Sequence, residues 1–135
     1  MDRPPALDSK LVSEFVIAAH ANLEKVQEML DAEPGLLNAA WDWGGGDFET
    51  GLGSAAHMGR RDIALFLLGR GARIDLFTAA MLGEMEIVRA ILSATPAARS
   101  SRGAHGIPLI VHAQQGGAQA EGVLALLAEL EASIG

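Results

Sequence analysis

The chain has 135 residues, half of them hydrophobic and 20% charged, with a net charge of −7 at pH 7 and no cysteine. That length makes one domain (1–135) with enough apolar surface to bury a core, and the missing cysteine excludes disulfides, thiolate metal sites and cysteine nucleophiles. The acidic balance disfavours general affinity for phosphate backbones, which depends on Lys and Arg displacing counterions, so no nucleic-acid partner is expected.

The start, Met1 to Asp8, has an acid near the front and no apolar run after it, unlike a secretory signal. No later stretch holds about 18 uninterrupted apolar residues, so a soluble cytoplasmic protein without a membrane partner is expected. The first helix starts at Asp8 or Ser9 as its cap and runs through Leu11, Phe15 and Ala18-Ala19 at helical spacing. Asn22 is expected to end it in a left-handed conformation, as Gly59 and Gly83 do later. The second helix carries Leu23, Val26, Met29 and Leu30, and Glu33-Pro34-Gly35 stops it. Residues 38–48 then read as a projecting hairpin, and Gly44-Gly45-Gly46 as its mobile tip. A phosphate-loop reading of that tip fails because no Lys-Ser or Lys-Thr follows and Asp47 and Glu49 would repel an anion.

Helical patterns follow over 51–57 and 62–68, and over 76–81 and 84–92, the latter pair opened by Asp75 as a cap. The last pair spans 106–113 and a stretch through Val123, Leu124, Leu127 and Leu130, joined by a looser Gly116-Gly117 turn. Ala18-Ala19, Ala55-Ala56 and Ala79-Ala80 recur at the same point of successive units, each followed by two residues and then Gly or Asn. One short helix-turn-helix unit therefore repeats, and that self-similarity decides the fold. Aromatic residues are only 4%, with no tyrosine, which suits thin, closely stacked helices better than a sheet core.

The second unit carries Thr50-Gly51-Leu52, Ala55-Ala56, Gly59, Leu67-Leu68 and Gly71-Ala72, and on these motifs the chain resembles an ankyrin repeat protein over residues 10–131. The resemblance implies an all-α solenoid of about four repeats, at roughly 8–38, 47–75, 76–100 and 104–132. Ala18 and Ala55 lie 37 residues apart, Ala55 and Ala79 24 apart, and Ala80 and Ala113 33 apart. Only the last equals the ankyrin period of about 33 residues. The first hairpin is therefore enlarged, and the middle interval lacks about one hairpin, so one inter-repeat hairpin is expected to be missing. The family's Thr-Pro-Leu-His is reduced to Thr50-Gly51-Leu52-Gly53 and Ile107-Pro108-Leu109-Ile110, and the fourth repeat thereby lacks its Thr cap.

Residues 1–49 carry ten acids against Arg3, Lys10 and Lys25, whereas 50–110 carry seven arginines against four acids. In a linear stack this becomes an acidic end and a mildly basic middle. The resemblance implies a concave contact ladder formed by the residues after each Ala pair: His20, His57, Met81 and Gln114, with Met58 and Leu82 beside them. Trp41, Trp43 and Phe48 in the enlarged hairpin are candidate anchors, since Trp supplies a rigid apolar area and a donor. The expected function is a noncatalytic module that binds another protein through these nine residues, with no cofactor and no metal. The exposed end faces of a short stack also allow self-association. High Ala and Gly content is of the kind GC-rich bacterial genomes encode.

The alternative is a small-molecule site or acid-base enzyme, with a pocket around His57, walled by Trp43 and Met81 and supplied with a carboxylate by Asp47. His20 and His57, one repeat apart, could approach each other, with Asp47 or Glu49 reaching them. No His-x-x-x-His or Glu-x-x-His spacing supports a metal. His112, in the first slot of the last pair, reads as a hydrogen-bonded core residue. His105 and the pair Arg99 and Arg102 carry little functional signal.

Overall fold

The computed structural model describes residues 2–133. Four helix pairs follow one another: α1 (Ser9–Ala18) with α2 (Leu23–Ala32), α3 (Gly51–His57) with α4 (Arg61–Gly69), α5 (Leu76–Leu82) with α6 (Met85–Ala94), and α7 (Leu109–Gln115) with α8 (Glu121–Ala132). Members of each pair touch, and the first helices α1, α3, α5 and α7 contact one another in that order. The only sheet among the described residues is an antiparallel hairpin of β1 (Ala40–Asp42) and β2 (Phe48–Thr50), with Ala40 opposite Thr50, Trp41 opposite Glu49 and Asp42 opposite Phe48. Mostly helical architecture is therefore as expected. No described helix is long and apolar enough to cross a membrane.

Short side chains fix where each helix begins. Asp8 accepts from the Lys10 N–H at 3.0 Å, Thr50 from Gly53 at 3.0 Å, and Asp75 from Thr78 at 2.8 Å, each satisfying a donor that the first turn leaves free. Helix α7 starts behind Pro108 with no side-chain cap, as the missing threonine implied. Asn22 departs from expectation. Its φ is −131°, not left-handed, and its Oδ1 accepts from Lys25 N–H at 3.0 Å, so it caps the start of α2 instead of closing α1. Competition between the two ends is won by the side-chain oxygen, which Gly59 and Gly83 lack.

The enlarged first loop forms the expected hairpin, but its tip is tied down. Asp42 Oδ1 accepts from the N–H groups of Gly44 and Gly46 at 2.8 and 3.0 Å. Between α4 and α5 the chain passes from Arg70 to Asp75 without a strand, so no hairpin stands between the second and third pairs. Between α6 and α7 a partial one remains: Arg102 bridges Pro108, and a 3-10 turn at Ala104–Gly106 stands between them.

Two apolar clusters make the core. The first gathers Phe15, Val16, Val26, Leu30, Ile63 and Leu67; the second gathers Leu76, Val88, Leu109, Val123 and Leu127. Ala19, Ala55, Ala56, Ala79 and Ala80 are fully buried, the small side chains letting the first helices approach closely. Met81 and Leu82 belong to this interior, at 1% and 4% exposure, so they do not offer the contact surface that the ladder reading gave them. The end of α5 is covered by a 3-10 segment, Gly117–Ala120, that the looser last turn folds over it.

His112 is buried against Phe77, with ring centroids 4.8 Å apart, and its Nδ1 lies 2.9 Å from the Pro108 carbonyl, to which it donates. Burial pushes its imidazole below the ordinary value of 6.5. The unfolded chain takes up this proton near 6.5 while the folded chain resists it, so the stability present above 6.5 is lost as pH falls through the lowered folded value. His112→Asn keeps a donor for Pro108 and removes the titration. The variant is expected to lose less stability than wild type between about pH 7.5 and pH 5, read from urea midpoints; equal losses would show that His112 does not contribute.

Candidate metal centre

Four side chains from four separate segments converge beside the hairpin. His20 follows α1, Glu49 lies in β2, His57 ends α3, and His105 sits in the 3-10 turn before α7. One donor atom from each, a histidine nitrogen or a carboxylate oxygen, lies within 4.8 Å of the other three. The alternation of β2 sets Glu49 inward and Phe48 outward: Glu49 is 2% exposed and Phe48 61%. Glu49 Oε1 is 3.3 Å from His20 Nε2 and 3.4 Å from His105 Nε2, while Oε2 is 2.8 Å from His57 Nε2. His20 and His57 meet at 3.2 Å between their Nε2 atoms.

The far side of two rings fixes which nitrogen faces the centre. His20 Nδ1 lies 2.9 Å from the Val16 carbonyl, which only accepts, so Nδ1 carries the proton. His105 Nδ1 lies 2.8 Å from Asp47 Oδ2, and Asp47 Oδ1 also accepts from the His105 backbone N–H at 2.7 Å. That double contact holds His105 at φ +61°, the one positive φ outside glycine among the described residues. In their neutral forms both rings therefore aim a bare Nε2 lone pair at the Glu49 carboxylate. His57 Nε2–H can donate to His20 Nε2, which leaves the lone pair of His105 and the carboxylate with no proton between them.

Electrostatics follow from this crowding. Burial raises the Glu49 pKa, but the close approach of His20 and His57, the charge of His20 and the Trp43 N–H together outweigh it, holding the carboxyl well below the usual carboxylate range. The hydrogen bond to Glu49 raises the His20 pKa against the opposing effect of burial. Trp43 Nε1–H donates to Glu49 Oε1 at 3.0 Å. Oε2 is buried and has no hydrogen-bond partner, its 2.8 Å contact with His57 lacking hydrogen-bond geometry. A proton on His20 offsets part of this buried charge; a cation held by the imidazole nitrogens and Oε2 would offset it too and give Oε2 a partner.

The donor set fits such an ion. Imidazole and carboxylate ligands bind zinc at about 2.0–2.2 Å in a tetrahedron, which places the donors about 3.3–3.6 Å apart. Four contacts here, shared between the two Glu49 oxygens, run from 2.8 to 3.4 Å, and one donor atom from each of the four residues lies within 4.8 Å of the rest, so small side-chain shifts would seat the ion. The Nδ1 contacts to the Val16 carbonyl and to Asp47 supply the outer hydrogen bonds that metal-binding histidines characteristically make.

The expected contact residues divide. Trp41 is half-buried and packs against the first apolar cluster. Trp43, Phe48 and Met58 remain 41%, 61% and 45% exposed, and Gln114 is exposed. Trp43 leans over the histidines, its ring centroid 5.6 Å from His105 and 6.5 Å from His20. His20 and His57 do meet with Glu49 between them. The gap left by the missing hairpin is a cleft of about 390 Å³, lined by Asp47, Phe48, Asp75, Phe77, Arg102 and His112 among others. Trp43, Met81 and His57 do not wall it, contrary to the small-molecule reading.

His105 is the residue that sequence reasoning missed. Its signal is faint: a histidine beside Gly106, in a loop whose partner Asp47 lies 58 positions away. Linear spacing rules find metal sites built on one helix or one hairpin, and this set takes one donor from each of four segments. Compared with known proteins, the chain matches no family model, no curated protein and no solved structure.

Proposed function

We propose that this chain is a small helical-repeat protein of ankyrin type that binds one divalent first-row transition metal ion through His20, Glu49, His57 and His105. The repeat assignment is supported by the four successive helix pairs, by left-handed Gly59 and Gly83 at two of the turns, and by the hairpin between the first two pairs. Glu49 Oε2 carries the functional reading: a buried anionic oxygen without a hydrogen bond, with three imidazoles around the same carboxylate. Zinc suits nitrogen and oxygen donors of this kind, and binding would neutralise the buried charge.

The test is equilibrium dialysis against zinc near neutral pH, followed by metal analysis. Wild type is expected to retain one zinc ion per chain, and Glu49→Gln, which keeps the shape but removes the charge, to retain far less. Wild type emerging without zinc would overturn the assignment, as would equal retention by the variant.

Partner binding is the second reading, favoured by the exposure of Trp43, Phe48 and Met58 on one chain. Burial removes Met81 and Leu82 from that surface, and the metal reading gives His20 and His57 another task. Substituting Phe48 and Met58 together by Ala should then abolish partner capture while leaving zinc retention intact.

A further inference from the structure

The four proposed ligands are not enclosed equally. The Glu49 side chain is fully buried, whereas those of His57, His20 and His105 are 12%, 22% and 34% exposed. The carboxylate is thus the floor of the centre and the imidazoles are its rim. Solvent therefore reaches the cluster from the imidazole side, where Trp43, itself 41% exposed, lies beside His20 and His105.

Ligand chemistry points the same way. Closed structural zinc sites are dominated by cysteine, which this chain lacks; its four imidazole and carboxylate donors equally suit ions that take five or six ligands. One carboxylate oxygen and one nitrogen from each histidine give the chain four donor atoms, Oε1 being also held by the Trp43 N–H at 3.0 Å. Metal ions that accept five or six ligands then have a place left over. A divalent ion beside one carboxylate also keeps a net positive charge, which draws an anion to that place.

Resting on the metal-binding reading, we infer that the bound ion keeps an exchangeable coordination position on its solvent side, which takes small monoanions that bind through oxygen or nitrogen. Water occupies it otherwise, and its proton becomes easier to remove on the metal. Trp43, with ring centroids 5.6 Å from His105 and 6.5 Å from His20, gives that side one apolar neighbour.

The experiment uses the full chain loaded with cobalt(II), whose visible bands respond to coordination, and titrates it with azide. A saturable change in the cobalt spectrum, with one azide bound per cobalt and the cobalt still on the protein after gel filtration, is the expected result. Cobalt bound at one per chain with a spectrum indifferent to azide would overturn the open position and leave the metal assignment standing. Failure of cobalt and zinc to bind at all would overturn the metal assignment itself, and this inference with it.

Discussion

Zinc present at a hundredfold excess over its dissociation constant is expected to raise the melting temperature of the wild-type protein by about 10 °C. An ion that binds the folded chain and not the unfolded one contributes about 2.7 kcal/mol at that excess, and a chain of this size shifts by roughly 3–4 °C per kcal/mol. The unfolded chain holds no ready site, because its donors lie at positions 20, 49, 57 and 105. Folding gathers them by joining the end of α1, the hairpin, the end of α3 and the turn before α7. Zinc should therefore protect the loops most, since the hairpin and the turn at Ala104–Gly106 meet through Asp47 and His105. Asp47→Ala releases the ring of His105 and should weaken zinc by about 10–100-fold, leaving a shift of only a few degrees at the same zinc concentration. Glu49→Gln should show almost none. Differential scanning calorimetry with and without zinc decides it: no shift in wild type, or an equal shift in Glu49→Gln, contradicts the assigned ligands.

The helix pairs were legible because alanine pairs and helical spacing are local signals. Loop length was legible too: the 37-residue interval between Ala18 and Ala55 contains the β1–β2 hairpin, and the 24-residue interval between Ala55 and Ala79 contains none. Asn22 was misread because one residue serves two helix ends, and only coordinates show which end claims its side chain. Met81 and Leu82 were misplaced for a different reason. The ladder reading assumes each unit leaves the same face open, whereas the segment Gly117–Ala120 of the last pair folds against the end of α5. The cluster of His20, Glu49, His57 and His105 was half legible. Glu49 near His20 and His57 follows from the register of a hairpin beside two successive helices, but His105 enters through a turn whose direction depends on a left-handed backbone held by Asp47. Nothing in the identity of His105 or its neighbours encodes that contact.

Gly83→Ala is expected to destabilise the protein by about 3 kcal/mol or more, a large part of the stability of a domain this size. Gly83 has φ +78°, a conformation that costs a side chain about 1–2 kcal/mol. Space adds the larger penalty. A Cβ at Gly83 would overlap the Gln119 carbonyl oxygen and stand 2.9 Å from its carbon, and both are backbone atoms that cannot rotate aside. The turn between α5 and α6 must therefore move away from the last pair, opening the contact that covers Met81 and Leu82. Gly45→Ala provides the control. Its φ is +66°, but nothing lies within 4 Å of the new Cβ, so only the conformational penalty applies. Urea midpoints of the two variants separate backbone strain from lost packing. A Gly83→Ala loss no larger than that of Gly45→Ala would mean that the third and fourth helix pairs do not depend on this close approach, and that the cover over α5 is held by other contacts.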